Sequence, residues 1–260
     1  FIVIIIRLLR PAILVRIGTL STERIGYLAG VAELYLCEKD AGINQPNERH
    51  IDIFYFFGTT CCNQQLKKMC ERVIILWPTL IMNPIDRMNN LIPGGKAHQI
   101  GYNTYRDRDV HNLLDKFPPH LEFTNEEHER GENSLRSMGI PKGANIVCLA
   151  VRDSAYLDEV NTNNEEHERK DYSYHNYRDC DVQNFILGAE ELTKRGYYVI
   201  RMGAKVNSKL KTSNPKIIDY ASNGMRSDFM DIYLGSVCDF CIRAESGWGA
   251  VPYIIFRKPI

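Results

Sequence analysis

The chain has 260 residues, of which 44% are hydrophobic and 25% are charged, as is usual for a soluble globular protein. Lysine and arginine together number 32, as do aspartate and glutamate, so the net charge provides no overall attraction to nucleic acid. We expect no nucleic-acid partner, and we expect any anionic ligand to be held by local geometry.

An apolar run opens the chain at residues 1–6. It is too short to span a bilayer, and Arg7 and Arg10 place charges directly after it. No charged segment precedes it and no small-residue cleavage site comes after it, so it is not typical of a signal peptide. We expect a buried element here, with peripheral membrane contact as the alternative. The expected location is the cytoplasm, either free or at the inner face of the membrane.

The eight cysteines are scattered along the chain, and several lie within apolar runs. A chain of this length does not need disulfide bonds, so we interpret them as reduced, buried thiols of a cytosolic protein. Cys238 and Cys241 form a C-x-x-C pair, but no second pair completes a zinc site. The seven histidines include no pair at metal-ligand spacing. We therefore predict no metal.

Periodicity in the first half predicts an alternation of strands and helices. Residues 12–17, 51–57 and 73–77 are apolar and are typical of buried strands. A helix is predicted from Thr22 onward, and another over residues 63–72.

A domain boundary is predicted near residue 140. Thr124 is placed to cap a charged helix that ends near Met138, where glycine and proline residues come next. We therefore expect two domains, 1–140 and 141–260.

The second half is more regular. Four apolar runs predict buried strands: 146–151, 197–202, 217–218 and 237–242. A helical stripe begins at Val182, and Ser227 with Asp228 opens another helix. Strands that alternate with helices predict a doubly wound parallel sheet, which binds ligands at the carboxyl ends of its strands.

Three strand ends carry candidate anion ligands. Arg152 follows the first strand, and its planar guanidinium can donate two parallel hydrogen bonds to a phosphate. Arg201 ends the second strand, and Gly203 would let a ligand approach the backbone. Ser246 and Gly247 follow the last strand, where a helix starting at Gly247 would offer free N–H groups to a diphosphate. The alternatives are a surface arrangement of Arg152 with Asp153, an exposed Arg201 at an ordinary turn, and a simple helix cap at Ser246.

Other phosphate and metal motifs are weak or missing. Pro252 stands where a dinucleotide fingerprint would need its third glycine, and the chain contains neither a phosphate-binding P-loop nor a nucleophile elbow. Two D-x-D triplets, 107–109 and 179–181, could hold a divalent metal, but both lie in polar sequence. Asp181 is more simply explained as the cap of the helix at Val182.

Several segments carry a resemblance to a known family. The second half contains VCLAVRDSAYL at 147–157, DYSYHNYRD at 171–179 and RGYYVIRMGA at 195–204, together with 217–221, 226–235, 251–252 and 256–260. The first half contributes 16–18, 24–26 and 92–95. Together they resemble a bacterial glycosyltransferase family of surface polysaccharide biosynthesis. The strand, Ser-Gly, helix and proline segment is also distantly similar to the donor diphosphate site of heptosyltransferase-like enzymes.

This resemblance implies an α/β protein of the GT-B type, with two Rossmann-like domains of doubly wound parallel sheet facing across a cleft. The first domain would hold a carbohydrate or lipid-linked acceptor, and the second a nucleotide-sugar donor. Transfer would be independent of metal and of any cofactor. The chain stops as the strand after the Ser-Gly helix begins, so we expect the second domain to be incomplete.

The candidate site residues come from the resemblance and the strand ends together. The donor-binding set is Arg152, Ser154, Tyr156, Arg201, Gly203, Ser227, Asp228, Ser246 and Gly247. The acceptor-side set is Arg16, Gly18, Arg24 and Tyr27. Asp228 would hold the nucleotide ribose, or else serve only as a helix-terminal residue.

The catalytic base is left open among three residues. The family has a histidine where this chain has Tyr27, and a tyrosine is a poor base at neutral pH. Glu33, Asp153 and His175 are the candidates. The alternatives to a metal-independent transferase are a non-catalytic nucleotide-sugar-binding remnant and a metal-dependent GT-A-type transferase.

Overall fold

A computed structural model describes most of the chain as two compact units. The described residues are 2–58, 60–100, 108–163, 171–244 and 246–260. The units are Phe1–Glu122 and Phe123–Ile260. Each contains helices and a parallel β-sheet, which confirms the predicted α/β class with parallel sheets.

The first unit is built around a narrow parallel sheet. Its elements are α1 (Ile2–Leu9), β1 (Leu14–Ser21), α2 (Ile25–Asp40), β2 (His50–Phe57), α3 (Gln64–Val73), α4 (Thr79–Leu91) and a 3₁₀ turn (Gly95–His98). β1 pairs with β2 along its whole length. Single parallel bridges, Ile17 to Gln99 and Phe54 to Leu76, extend the sheet on both sides. The strand predicted at 73–77 is reduced to such a bridge because α3 and α4 leave few residues between them.

The apolar run at the start of the chain differs from the expected buried element. It forms α1, in which Val3 is buried while Ile4 is 56% and Leu8 74% exposed. One face of a short helix packs against the unit, and the rest of its apolar surface stays in solvent. Within the described residues, no helix has the length and apolar character needed to cross a membrane.

The second unit holds a four-stranded parallel sheet in the order β5-β4-β3-β6. Its helices and strands are α5 (Asn125–Ser137), β3 (Ile146–Ala150), α6 (Ala155–Asn163), α7 (Ile186–Lys194), β4 (Tyr198–Arg201), β5 (Ile217–Ile218), α8 (Asp228–Val237) and β6 (Phe240–Arg243). Short turns add Ser173–Arg178, Val182–Phe185, Gly247–Gly249 and Val251–Ile255.

Apolar side chains cover both faces of this sheet. All five residues of β3 are buried, as expected for a central parallel strand. Cys148 and Ile200 belong to a cluster with residues of α8, whereas Leu149 and Val199 belong to a cluster with Ala189 of α7. Because neighbouring residues of a strand point to opposite faces, the two clusters form two layers of core.

α5 belongs to the second unit, so the units divide at residues 122 and 123 rather than at the 140 and 141 we took from the sequence. Its start is as predicted, because Thr124 and Glu127 form a reciprocal capping box. The helix packs against α8, with Gly131 lying over the ring of Tyr233. That packing assigns the helix to the core that comes after it in the chain.

Candidate functional site

The carboxyl edge of the second sheet contains a topological switch point. From β3 the chain continues to β4 and β5 on one side, and then crosses to β6 on the other side of β3. Ala150 pairs with Arg243, and the amide of Ala244 donates to the carbonyl of Ala150 over 3.0 Å. The segments after β3 and β6 therefore start side by side. In open parallel sheets this is where ligands bind.

Arg152 leaves β3 at this edge and holds a loop in place. Its Nη1 donates to the carbonyl of His175 over 2.9 Å and forms an ion pair with Asp179. The side chain is 10% exposed. Its Nε and Nη2 make no hydrogen bond to any described residue. Its partner is thus Asp179 and not the neighbouring Asp153, and part of its guanidinium remains available to an anion.

Asp153 and Ser154 join the β3 edge to the loop after β4. The carboxylate of Asp153 accepts from the amides of Ala155 at 3.1 Å and Asn207 at 2.8 Å. Ser154 Oγ accepts from the Asn207 side chain at 3.2 Å. Because each oxygen of Asp153 receives a backbone amide, this residue anchors two segments, and its role as a base is not supported by the geometry.

His175 and Tyr156 lie beside these anchors. His175 is half-buried between Tyr172 and Tyr174, whose ring centroids are 6.4 and 3.9 Å away. Its Nδ1 contacts Arg178. Tyr156 is 41% exposed in the first turn of α6. The hydrogen bond from Arg152 to its carbonyl holds the backbone of His175 close to the end of β3.

Arg201 and Gly203 are not at an open strand end. Arg201 is 1% exposed, donates to the carbonyl of Ser208 and pairs with Asp219 over 3.3 Å. A Cβ at Gly203 would lie 2.7 Å from a methyl group of Val206. The expectation that both face a ligand is corrected by this packing: Arg201 neutralises a nearby carboxylate in the interior, and Gly203 permits a tight loop.

The start of α8 matches the prediction. Ser227 Oγ accepts the amide of Met230 at 3.2 Å and so caps the helix. Asp228 occupies the first turn, where a carboxylate interacts favourably with the helix dipole. Because α8 follows β5, this end of the helix also lies at the carboxyl edge of the sheet.

The segment after β6 differs from the predicted α-helix. Gly247–Gly249 is a 3₁₀ turn and Val251–Ile255 a π-helical turn. Ser246 does not cap the turn with its side chain. Its Oγ is buried and lacks a hydrogen-bond partner among the described residues. Pro252 also lacks the backbone N–H that an α-helical ladder would use at its position. A buried hydroxyl without a partner is costly unless a ligand or water completes it.

Arg243 is a site residue that the sequence pattern did not single out. It ends β6 directly beside the Ser246 turn. A Cβ at Gly249 would lie 2.5 Å from Arg243 Cδ and 3.0 Å from Nη1, so the arginine lies against this turn. Its side chain makes no hydrogen bond or ion pair with the described residues. The signal was available, because Arg243 ends an apolar strand just as Arg152 follows one.

The acceptor-side residues of the first unit divide into two groups. Arg16 is 4% exposed and makes a two-point ion pair with Asp52, at 2.6 and 2.5 Å. A Cβ at Gly18 would lie 2.6 Å from the ring of Phe54. These two residues are part of the interior, which corrects the expectation that they face an acceptor. Arg24 and Tyr27 lie exposed where α2 begins.

Glu33 does not lie at a strand end. It is fully buried in the middle of α2, and its carboxylate contacts His120. A base must reach the hydroxyl that it deprotonates, so this burial contradicts a catalytic role for Glu33.

A cavity of about 460 Å³ lies at the carboxyl edge of the first sheet. Its described lining comes from residues after β1, after β2 and around the Leu76 bridge, and from α3. Phe56 and Trp77 contribute aromatic surface, while Lys67 and Glu71 contribute charges that are 3.8 Å apart. The sequence pattern does not reveal this cavity, because its walls come from segments that are distant along the chain.

The described aspartates of the two D-x-D triplets accept hydrogen bonds or form an ion pair within the protein. Asp107 lies outside the described residues, and Asp109 accepts the amides of Leu113 and Leu114 at 2.8 Å. Asp179 pairs with Arg152, and Asp181 accepts the amide of Gln183 at 2.9 Å, as predicted for a cap.

Two solved structures are similar to this chain. The glycosyl transferase family 9 protein from Veillonella parvula DSM 2008 matches with a TM-score of 0.49 and 10% identity, over 92% of this chain and 77% of that one. The ADP-heptose LPS heptosyltransferase II of E. coli matches with a TM-score of 0.47 and 11% identity, over 92% and 82%. No protein-family model and no curated protein matches the chain. At this level of similarity the two structures carry no conclusion about function.

Proposed function

We propose that the protein is a glycosyltransferase of the GT-B type, which moves a sugar from a nucleotide-sugar donor to a carbohydrate or lipid-linked acceptor without a metal ion. One observation carries this proposal. Arg152 and Arg243 flank the switch point between β3 and β6, and each guanidinium retains hydrogen-bonding capacity that the described residues do not use.

The donor diphosphate binds at this edge. When the sugar leaves, negative charge develops on the diphosphate, and fixed guanidinium donors stabilise that charge in a partly desolvated site. Ser246 Oγ and the backbone at Gly247 supply neutral donors beside Arg243. In this proposal Arg243, rather than Arg201 as expected from the sequence, binds the diphosphate together with Arg152.

The acceptor binds in the cavity of the first unit. Ligand pockets combine apolar and aromatic walls with a few placed polar groups, and Trp77, Phe56, Lys67 and Glu71 provide that combination. A sugar offers an apolar face to the rings and hydroxyl groups to the charged pair. None of the three candidate bases is placed to take the acceptor proton, because Asp153 accepts two backbone amides, Glu33 is fully buried and the Nδ1 lone pair of His175 faces Arg178.

Nucleotide binding tests the donor site. Thermal shift of the full chain with UDP, GDP, ADP, CMP and TDP is expected to reveal at least one stabilising nucleotide, in EDTA as well as with Mg²⁺. A ligand present at 100 times its Kd stabilises by about 2.7 kcal/mol. Arg243→Gln should weaken that nucleotide at least tenfold. Arg195→Gln is the matched control, because Arg195 is exposed and precedes β4 at the opposite edge of the sheet.

Two outcomes would contradict the proposal. If none of the five nucleotides stabilises the chain, the donor site is wrong. If binding requires Mg²⁺ and survives Arg243→Gln, the diphosphate is held by a metal rather than by arginine. Nucleotide binding without turnover of any donor would instead identify a non-catalytic nucleotide-sugar-binding protein.

A further inference from the structure

A cluster of three metal-ligating side chains lies in the first unit, and none of the three lines the cavity. Glu33 and Cys37 are one turn apart on α2, and His120 comes from the segment before the second unit. One ligand atom from each lies within 4.8 Å of the other two. In the part of the chain that the structure describes, no other three such side chains converge in this way.

The spacing of the three atoms suits a small tetrahedral ion. His120 Nδ1 is 3.0 Å from Glu33 Oε1, and Cys37 Sγ is 3.9 Å from each of them. Tetrahedral bonds of about 2.0 to 2.3 Å to zinc place ligand atoms roughly 3.3 to 3.6 Å apart. Shifts of a few tenths of an ångström would therefore complete three of the four positions.

The orientation of His120 also favours a cation at this point. Its Nε2 lies 2.9 Å from Asp40 Oδ2, which assigns a ring proton to Nε2. Nδ1 then directs its lone pair toward the Glu33 carboxylate. Glu33 is fully buried, and two such acceptors cannot face each other at 3.0 Å without a positive charge between them. A proton, on the ring or on the Glu33 carboxyl group, or a metal ion supplies that charge.

We propose that Glu33, Cys37 and His120 bind one divalent ion of the zinc class, with water in the fourth position. One sulfur, one nitrogen and one oxygen ligand form a donor set of the kind that zinc accepts. A carboxylate hydrogen-bonded to the far nitrogen of a histidine ligand is the usual support of such sites, and Asp40 is placed to provide it. Binding displaces the Cys37 thiol proton to solvent. The ion joins α2 to the segment that carries His120.

Cobalt titration of the full chain tests the site, because tetrahedral Co²⁺ reports a thiolate ligand through its charge-transfer absorption. We expect one Co²⁺ per chain with a thiolate band, displaced by Zn²⁺. Cys37→Ser should abolish the band. Cys70→Ala is the matched control, since Cys70 is also buried in the first unit, on α3, and should leave the band unchanged.

Asp40→Asn adds a variant that does not disturb the interior, because Asp40 is 49% exposed. Loss of this support should lower Co²⁺ affinity by about 10- to 100-fold. The proposal is overturned if the folded wild type shows no thiolate band, if Cys37→Ser binds Co²⁺ as tightly as wild type, or if Cys70→Ala abolishes the band. The first result would mean that a proton alone occupies the cluster.

Discussion

Arg152, Arg201 and Arg243 all stand at the carboxyl ends of parallel strands, but their side chains meet different partners. Arg201 is buried, and Asp219 neutralises its charge. Arg152 uses one guanidinium nitrogen, Nη1, for its ion pair with Asp179. Arg243 lies against the turn at Gly249. A fixed cation can serve a ligand only if the ligand can reach it, and Arg201 is 1% exposed whereas Arg152 and Arg243 are partly exposed. This ranks Arg243 and Arg152 above Arg201.

Gly249→Ala should disturb nucleotide binding through Arg243. The new Cβ would lie 2.5 Å from Arg243 Cδ and within 3.1 Å of Nε, so the guanidinium has to move. We expect at least a tenfold weaker affinity for the stabilising nucleotide, measured by titration calorimetry. Gly188→Ala on α7 is the control, because its Cβ would meet no atom within 4 Å. Unchanged affinity in Gly249→Ala would show that the position of Arg243 is unimportant.

Asp231 is a buried carboxyl group on α8. Desolvation by burial raises its pKa to about 6, although Arg226 and Tyr220 contact it at 2.6 and 3.0 Å and favour the charged form. In the unfolded chain the pKa returns to its ordinary value of about 4. Between these two values the native state holds a proton that the unfolded state has released.

The free energy of unfolding should therefore fall as the pH rises from about 4 to about 6, and then level off, with a total contribution from Asp231 of roughly 3 kcal/mol. Asp231→Asn should lack this component. Urea unfolding at several pH values between 4 and 7 measures it. Glu129→Gln, which removes an exposed carboxylate of α5, should keep the wild-type slope. An identical pH dependence in Asp231→Asn would refute the assignment.

At the scale of elements, helix starts with a capping side chain were predicted correctly. Thr124, Asp181 and Ser227 each accept the backbone amide that their position in sequence implies. A helix cap is a contact between residues two or three positions apart, so the local sequence is enough to predict it. The segment after Ser246 was predicted wrongly as an α-helix, and it forms a 3₁₀ turn and a π-helical turn without a side-chain cap.

The packing of α5 on α8 depends on a glycine. A Cβ at Gly131 would lie 2.1 to 2.3 Å from three ring atoms of Tyr233. The ring of Tyr233 is held by Phe123 and Phe229 and cannot simply turn away. Overpacking of this kind costs about 1–3 kcal/mol. We expect Gly131→Ala to lower the free energy of unfolding by that amount in urea.

A double-mutant cycle separates this clash from a general effect on the helix. Combined with Tyr233→Ala, the Gly131→Ala change should cost much less than it does alone, because the ring is no longer there. If the two losses simply add, Gly131 does not act through Tyr233.

For the whole molecule, stability includes buried ion pairs inside the units. Arg16 and Asp52 are 4% and 8% exposed and join β1 to β2. Removing one partner leaves a buried charge without its counter-ion, at a cost of about 3–5 kcal/mol. Arg16→Met should destabilise the chain by this amount in denaturant unfolding. Arg16→Met with Asp52→Leu should recover most of the loss, and failure to recover any would argue against the ion pair as the cause.

Local sequence determined the class of the protein, the caps of its helices and most of its buried strands. These features depend on the periodicity of apolar residues and on contacts between residues close in the chain, so they can be predicted from a single sequence. It also placed Arg152 and Ser246 at strand ends, and the pairing of β3 with β6 puts those ends side by side.

Tertiary structure alone decided which charged groups are enclosed. Arg16, Arg201 and Glu33 looked like site residues in sequence, and all three are buried. Burial of a charge depends on partner residues from elsewhere in the chain, such as Asp52, Asp219 and His120, and sequence spacing does not reveal these contacts. The Glu33, Cys37 and His120 cluster escaped notice for the same reason. Its third member is brought to α2 only by the fold.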